Sequence, residues 1–245
     1  MTAFQPDSHI ASAADYSHYL AARLTARPEL GDWLAAAGQT PFSRQAMQVF
    51  LAATPIPDEA ALKHLLRDLR QRVMALLIVR DLNGLADLAE VTGACTDLAE
   101  LTLTLACDWH HRDLATIHGE PLDSQGQPQR LIVVGMGKLG GRELNVSSDI
   151  DPIFVYPEDG ETTGPRKLAS HEFFVRLGKR LISAIGETTA DGFVFRVDMR
   201  LRPYGDDGPL VSSFAMLEDY FYTQAREWER YAWIKGRPLT GERHD

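Results

Sequence analysis

The sequence predicts a helical N-terminal region followed by a mixed domain of short strands and helices, α/β or α+β, and three observations predict it. Apolar residues recur at three- and four-residue steps through Leu62, Leu65, Leu66, Leu69, Val73, Leu76 and Leu77, drawing one stripe along a helix. Residues 121–128, with Pro121, Ser124, Gly126 and Pro128, form a polar, turn-rich boundary. Beyond it the apolar residues fall into runs of strand length, at 131–134, 153–156 and 193–197.

Taken in order, residues 14–25 and 42–53 carry helical patterning. The striped helix begins after Pro57-Asp58-Glu59, where acidic side chains suit the positive end of the helix dipole. Its opposite face, with Lys63, Arg67, Arg70 and Arg72, reads as polar. A further helix covers 85–117, with an interruption expected near Gly93, and the set reads as a bundle of antiparallel helices. In the second part a helix over 167–188 joins the second and third apolar runs, and a last one covers 213–235. Tyr220, Phe221, Tyr222, Trp228, Tyr231 and Trp233 on that last helix read as a packing face rather than a base-stacking platform.

Composition excludes several classes. A chain of 245 residues with 44% hydrophobic content can bury a sizeable core. The net charge of −9 argues against nucleic acid as the main partner. No apolar run approaches the ~20 residues that cross a bilayer, and no signal-peptide pattern opens the chain, so no membrane association is expected. Cys95 and Cys107 read as reduced thiols, which places the protein in the cytoplasm. His110, His111 and His118 lack a matching set of thiolate or carboxylate partners and read as surface or core histidines, not a zinc site.

The chemistry concentrates in Ser147-Ser148-Asp149-Ile150-Asp151, after the turn Gly137-Lys138-Leu139-Gly140-Gly141. Side chains two apart on a strand share a face, so Asp149 and Asp151 project together while Ile150 turns into the sheet. Paired carboxylates repel unless a cation lies between them, and a hard ion such as Mg²⁺ takes oxygen ligands and substrate phosphates. Asp198, with Arg196 and Arg200 on its face by the same alternation, offers a third carboxylate for a two-metal phosphoryl or nucleotidyl transfer site. The competing reading of Asp198 is an ordinary surface network with Arg196, Arg200 or Arg202. Residues 135–140 also match dinucleotide-binding glycine spacing, but residues 141–152 leave room for one helical turn at most, where that fold needs a full crossover helix. The glycines instead suit close approach of backbone N–H groups to phosphate oxygens, with Lys138 or Ser148 adding donors.

The stretch from Gly135 to Asp151 resembles the nucleotidyltransferase core of the bifunctional glutamine synthetase adenylyltransferase/adenylyl-removing enzymes, which carry two such cores in tandem. Residues 197–205 (Val-Asp-Met-Arg-Leu-Arg-Pro-Tyr-Gly), 208–211 (Gly-Pro-Leu-Val) and 227–232 (Glu-Trp-Glu-Arg-Tyr-Ala) are similar to the N-terminal, adenylyl-removing core rather than the adenylylating one. The resemblance covers nearly the whole chain. It implies an α+β fold: a helical region over 1–120, a DNA polymerase β-like core over 121–211, and over 212–245 the start of a further helical domain. It implies phosphorolysis of AMP from a tyrosine of adenylylated glutamine synthetase, with phosphate as nucleophile and ADP as product; the longer family proteins also adenylylate the synthetase from ATP and respond to a PII-type signalling protein. It assigns Asp149, Asp151 and Asp198 to two Mg²⁺ ions, with Mn²⁺ an alternative, and Gly137, Gly140, Gly141 and Ser148 to phosphate or nucleotide cradling. Lys138, Arg200 and Arg202 are charge-neutralising candidates.

Two positions depart from the family pattern. Pro152 stands where leucine is usual and fits only a strand edge or start. Lys235-Gly236-Arg237-Pro238 breaks a helix that the family continues, so the last helix is expected to expose apolar surface through Tyr220, Phe221, Tyr231 and Trp233. These departures motivate a second reading, a catalytically idle domain that binds or regulates glutamine synthetase. A third is an adenylyltransferase working in the forward direction.

Overall fold

Proline and short polar side chains punctuate the first hundred residues into helices, as seen in a computed structural model that describes residues 4–241. α1 (Pro6–Tyr16), α2 (His18–Ala26) and α3 (Pro28–Ala37) follow one another almost without loops, two of them opening on proline, which costs no hydrogen bond in a first turn. α4 (Arg44–Ala52) and α5 (Glu59–Leu82) start at Ser43 and Asp58, whose side chains accept from the N–H groups of Ala46 and Ala61. α6 (Leu88–His118) is continuous through Gly93, because the residues on either side of that glycine keep helical patterning and nothing crowds it. The chain divides into two compact units inside α6: residues 1–101 with 144–147, and residues 102–143 with 148–245.

In the first unit the leucine stripe of α5 is buried, and a cluster of Ala13, Leu20, Leu30, Leu34, Ala75, Leu76 and Val79 joins α5 to α1, α2 and α3. The face expected to be polar and open is covered too. Arg67 is fully buried, Arg70 lies over the Tyr19 ring, and Arg72 lies over Trp33 and Phe50. Long cationic side chains cover apolar surface with their stems while the planar heads stack on rings, which the sequence pattern does not distinguish from exposure. Arg80 is also buried, donating to Glu90 (2.5 Å), to the Gly38 carbonyl (2.9 Å) and to the Leu85 carbonyl (3.1 Å).

The second unit is built on a four-stranded sheet of order β3-β2-β1-β4, made by β1 (Ile132–Gly135), β2 (Pro152–Tyr156), β3 (Val211–Ser213) and β4 (Arg237–Pro238). β1 runs antiparallel to β2 and β4, with Ile132 opposite Val155 and Gly135 opposite Pro152, while β2 and β3 are parallel. Between β1 and β2 lies α7 (Gly137–Gly140), the single turn expected after the glycines. α8 (Ser170–Gly186) connects β2 to the following segment and presents Phe173, Phe174, Leu177, Leu181, Ala184 and Ile185 as a buried stripe. Gly178 lets α8 lie against the sheet, since a Cβ there would stand 3.0 Å from the Phe154 ring.

Pleating sends Phe154 and Tyr156 toward α8, where Tyr156 stacks on Phe174 at 5.0 Å. Ile153 and Val155 point the other way, into a cluster with Val134, Met136, Leu201, Leu217 and Trp233. With both faces covered, β2 is buried along its whole length and reads in sequence as an unbroken apolar run. His110, His111 and His118 are buried, so they are core histidines. Cys95 and Cys107 are buried free thiols, each pushed up to about 12 mainly by burial. No helix among the described residues is long and apolar enough to cross a membrane.

Two further expectations are corrected. The run at 193–197 makes no strand beyond one bridge of Val197 to Ile150, because the Val194 and Phe195 N–H groups donate to the Ile185 carbonyl at the end of α8 instead of to a ladder. The helix expected over 213–235 is broken into α9 (Phe214–Thr223) and α10 (Glu227–Ala232), followed by a 3-10 turn at Trp233–Lys235. The Gln224 and Ala225 N–H groups both fold back to the Tyr220 carbonyl, and the Glu229 carboxylate accepts from the Arg226 N–H (2.8 Å), opening a new helix. The exposed aromatic set changes accordingly. Tyr220 is buried and Phe221 packs edge-on to Trp233, while Tyr222, Trp228, Tyr231 and Ile234 are exposed.

Gly93 and Gly140 give opposite expectations. Gly93 lies inside α6 with nothing near its Cβ position, so Gly93→Ala is expected to stabilise the protein by roughly 0.5–1 kcal/mol. A Cβ on Gly140 would stand 1.8 Å from the Lys235 carbonyl oxygen, and Gly140→Ala is expected to cost about 1–3 kcal/mol. Urea unfolding of both variants measures the two signs.

Candidate active site

The site assembles where β2 begins. The Ile150 N–H donates to the Arg196 carbonyl (3.0 Å) and the Asp198 N–H to the Ile150 carbonyl (2.9 Å), so residues 196–198 run parallel to residue 150. On the other side the Met136 N–H donates to the Asp151 carbonyl (2.9 Å). Bridged residues in a parallel pair point the same way. Ile150 and Val197 therefore share one face, and Asp149, Asp151, Arg196 and Asp198 share the other.

Pro152 fits this frame. Alternation turns its missing N–H toward the side where the bridge to Val197 has ended and the pairing of β2 with β3 has not begun, that pairing starting at Phe154. No ladder bond is removed, and the Asp151 carbonyl keeps its partner.

On the shared face the outer carboxylates are ion-paired. Asp149 accepts from the Arg196 Nε, and Asp198 accepts from the Arg200 side chain and from the Arg200 N–H (2.9 Å). Arg196 thus pairs across the bridge with Asp149 rather than with Asp198. Arg200 reaches Asp198 through a local turn and not through strand alternation. The guanidinium of Arg200 holds the Asp198 carboxyl below the usual range. Half-buried Asp151 lies between them, and its carboxyl is pushed up by burial first and then by the charges of Asp198 and Asp149.

The glycine turn abuts this cluster. Gly137 has φ of +53°, which suits glycine, and a Cβ there would stand 3.3 Å from Asp151 Oδ2. Lys138 is exposed on α7 and its charge lowers the Asp151 carboxyl in part. Gly140 is pressed against the Lys235 backbone, Gly141 is exposed at the end of α7, and Ser148 is half-buried beside Asp149. Arg202 points elsewhere: its guanidinium donates to the Met199 and Asp206 carbonyls (2.8 and 3.0 Å), and it reaches Asp198 only as a nearby charge.

Sequence reasoning missed the support supplied from the C-terminal side. Arg237 donates to the Gly140 and Leu139 carbonyls (2.9 and 3.1 Å) at the end of α7, and Lys235 Nζ reaches Glu143 Oε2 (2.6 Å). The residues Lys235-Gly236-Arg237-Pro238 carried the signal, as a helix break that became β4.

The donor set, all carboxylate oxygens on one face with mutual repulsion at Asp151, suits a hard divalent cation. Among the described residues no three His, Cys, Asp or Glu side chains are grouped at metal-holding spacing, and the outer two aspartates are turned to arginines.

Fold and site together define an α+β protein whose sheet carries a carboxylate and arginine cluster beside a glycine turn, an arrangement suited to anionic phosphate chemistry. A model of the glutamate-ammonia ligase adenylyltransferase family matches residues 8–245. Proteins named bifunctional glutamine synthetase adenylyltransferase/adenylyl-removing enzyme are similar over most of the chain. That of Aromatoleum aromaticum is 55% identical over 232 residues, covering 95% of this chain and 25% of the relative. The Burkholderia mallei protein is 55% identical over 92% of this chain and 25% of its own length. The Thioalkalivibrio sulfidiphilus protein is 58% identical over 76% and 19%. The chain belongs to the glutamate-ammonia ligase adenylyltransferase family, a family of nucleotidyltransferases, and spans about a quarter of the length of these relatives.

Asp151 and Asp198 have opposite linkage. Asp151, raised above the ordinary 3.8, costs stability as pH rises through and beyond that value. Asp198, lowered from 3.8, contributes stability above it that is lost as pH falls. In buffer free of divalent ions at neutral pH, Asp151→Asn is expected to hold or raise the melting temperature and Asp198→Asn to lower it slightly. Both differences shrink in acid below the aspartate range, as circular dichroism melts would record.

Proposed function

We propose that this chain is an adenylyl-removing nucleotidyltransferase segment that takes AMP from a tyrosine of adenylylated glutamine synthetase by phosphorolysis. The observation that carries this is the placement of Asp149, Asp151 and Asp198 on one face beside the glycine turn. The relatives' names supply glutamine synthetase as the substrate protein, and the motifs at 197–205, 208–211 and 227–232 favour the removing core over the adenylylating one. A DNA polymerase β-like core, with strands bearing three carboxylates and helices on both faces, is the architecture this reading implies.

Asp149, Asp151 and Asp198 would hold Mg²⁺ or Mn²⁺, two ions on this reading. Such ions, when bound, neutralise the phosphate oxygens and align an in-line displacement. Gly137 and Gly141 keep the backbone clear of side chains where phosphate oxygens approach, with Lys138 and Ser148 as donors, while Gly140, packed on the Lys235 backbone, serves the turn's packing and not the phosphate cradle. Arg200 adds positive charge on the same face, and Arg202 fixes the loop that carries Asp198. Phosphate attacks the AMP phosphorus, the bond to the tyrosine oxygen breaks with its electron pair on that oxygen, the proton given up by the incoming phosphate restores the tyrosine hydroxyl, and ADP leaves. Because the nucleophile is already an anion, alignment and neutralisation matter more than a strong base, which agrees with a cluster of carboxylates and arginines. The longer proteins' ATP-dependent adenylylation and their response to a PII-type protein lie with chain beyond this quarter. The idle-domain reading loses one of its two motives, because Pro152 sits where no ladder bond is needed.

Purified chain with adenylylated glutamine synthetase, phosphate and Mg²⁺ is expected to release ADP, followed by chromatography. Asp149→Asn or Asp151→Asn is expected to lower the rate by at least about a hundredfold with the fold retained. Pro152→Leu is expected to leave Mg²⁺ affinity and turnover nearly unchanged. AMP incorporation from ATP without ADP release would favour the forward transferase, and neither reaction would favour the idle domain.

A further inference from the structure

We infer that Arg196 is an exchangeable counter-ion of this site: it occupies Asp149 until a divalent cation takes that carboxylate, and then offers its guanidinium to a phosphate group of the substrate. This rests on the nucleotidyltransferase reading above. It goes beyond that reading because Arg196 belongs to neither the carboxylate set nor the glycine turn.

The backbone and the side chain of Arg196 behave differently. Its carbonyl is fixed by the Ile150 N–H, and alternation about Val197 puts its side chain on the face of Asp149, Asp151 and Asp198. The side chain itself is 59% exposed, and its partner Asp149 is 46% exposed. An ion pair so open to water is weak and easily exchanged. The Asp198 and Arg200 pair differs, since Arg200 lies two residues away and also gives its backbone N–H to the same carboxylate. Arg196 spans from one aspartate-bearing segment to the other.

A divalent ion on Asp149 competes with the Arg196 guanidinium for the same carboxylate charge, and the two positive groups repel one another. The fixed backbone of Arg196 keeps the displaced guanidinium within reach of the carboxylate face. A planar fork of N–H donors on that face matches phosphate oxygens. The group it meets is either the incoming phosphate or the phosphoryl of the bound AMP.

The test measures binding on the chain itself by titration calorimetry, with Mn²⁺ alone and then with inorganic phosphate at saturating Mn²⁺. Arg196→Ala is expected to bind Mn²⁺ about two- to fivefold more tightly than the unaltered chain, the worth of one exposed pair, while binding phosphate more weakly. Arg196→Lys is expected to fall between on both measures. A merely structural role would weaken both together, so opposite signs identify the exchange. Unchanged Mn²⁺ affinity in Arg196→Ala, with Mn²⁺ bound by the unaltered chain, overturns the inference and leaves the nucleotidyltransferase reading standing. Failure of the unaltered chain to bind Mn²⁺ overturns both. If phosphate affinity holds but KM for adenylylated glutamine synthetase rises in Arg196→Ala, the guanidinium serves the AMP phosphoryl instead of the incoming phosphate.

Discussion

Three backbone hydrogen bonds around Ile150 and Asp151 hold the site in place, tying these two residues to segment 196–198 on one side and to Met136 on the other. Everything chemical follows from that bridging. The bonds fix which way Asp149, Asp151 and Asp198 face, bring Asp198 alongside from nearly fifty residues away, and set the glycine turn against Asp151. They also explain how carboxylates that repel one another persist side by side. Each backbone segment is held by bonds that do not depend on the charges, and arginines at the two ends offset part of the repulsion.

The glycine turn depends on a second constraint, contributed by the C-terminal segment. α7 is a single turn with little intrinsic stability, since one turn makes few internal hydrogen bonds for the residues it orders. Arg237 supplies donors for two of its carbonyls and β4 pairs with β1, so the turn is gripped from the strand that flanks it. Gly140 is where the two backbones meet, with no room for a Cβ. The position of Lys138 relative to Asp151 therefore depends on residues about a hundred places further along the chain.

Much of this was legible in the sequence. The helical stripe of α5, the short strands β1 and β2, the single turn after the glycines and the shared face of Asp149 and Asp151 all follow from local periodicity and turn chemistry, whereas the division of the chain falls inside α6 and not at the polar stretch near residue 121. The less legible parts required partners distant in sequence. Arg67 and Arg72 looked like an open polar face because a side chain's charge, not its stem, dominates the pattern, and the rings that cover Arg72 come from α3 and α4. Residues 193–197 had the composition of a strand, yet their amides were taken by the end of α8.

The sequence by itself determined the residue types of the site, the spacing that puts two aspartates on one face, and a family likeness strong enough to name. Local propensity and alternation act within a few residues, so they suffice for those features. Tertiary structure alone decided that Arg196 pairs with Asp149, that Arg202 is spent on its own loop, and that a segment read as a broken helix becomes the fourth strand. Each of those outcomes turns on which donor reaches which acceptor first across the fold, and no periodicity in the chain encodes that competition.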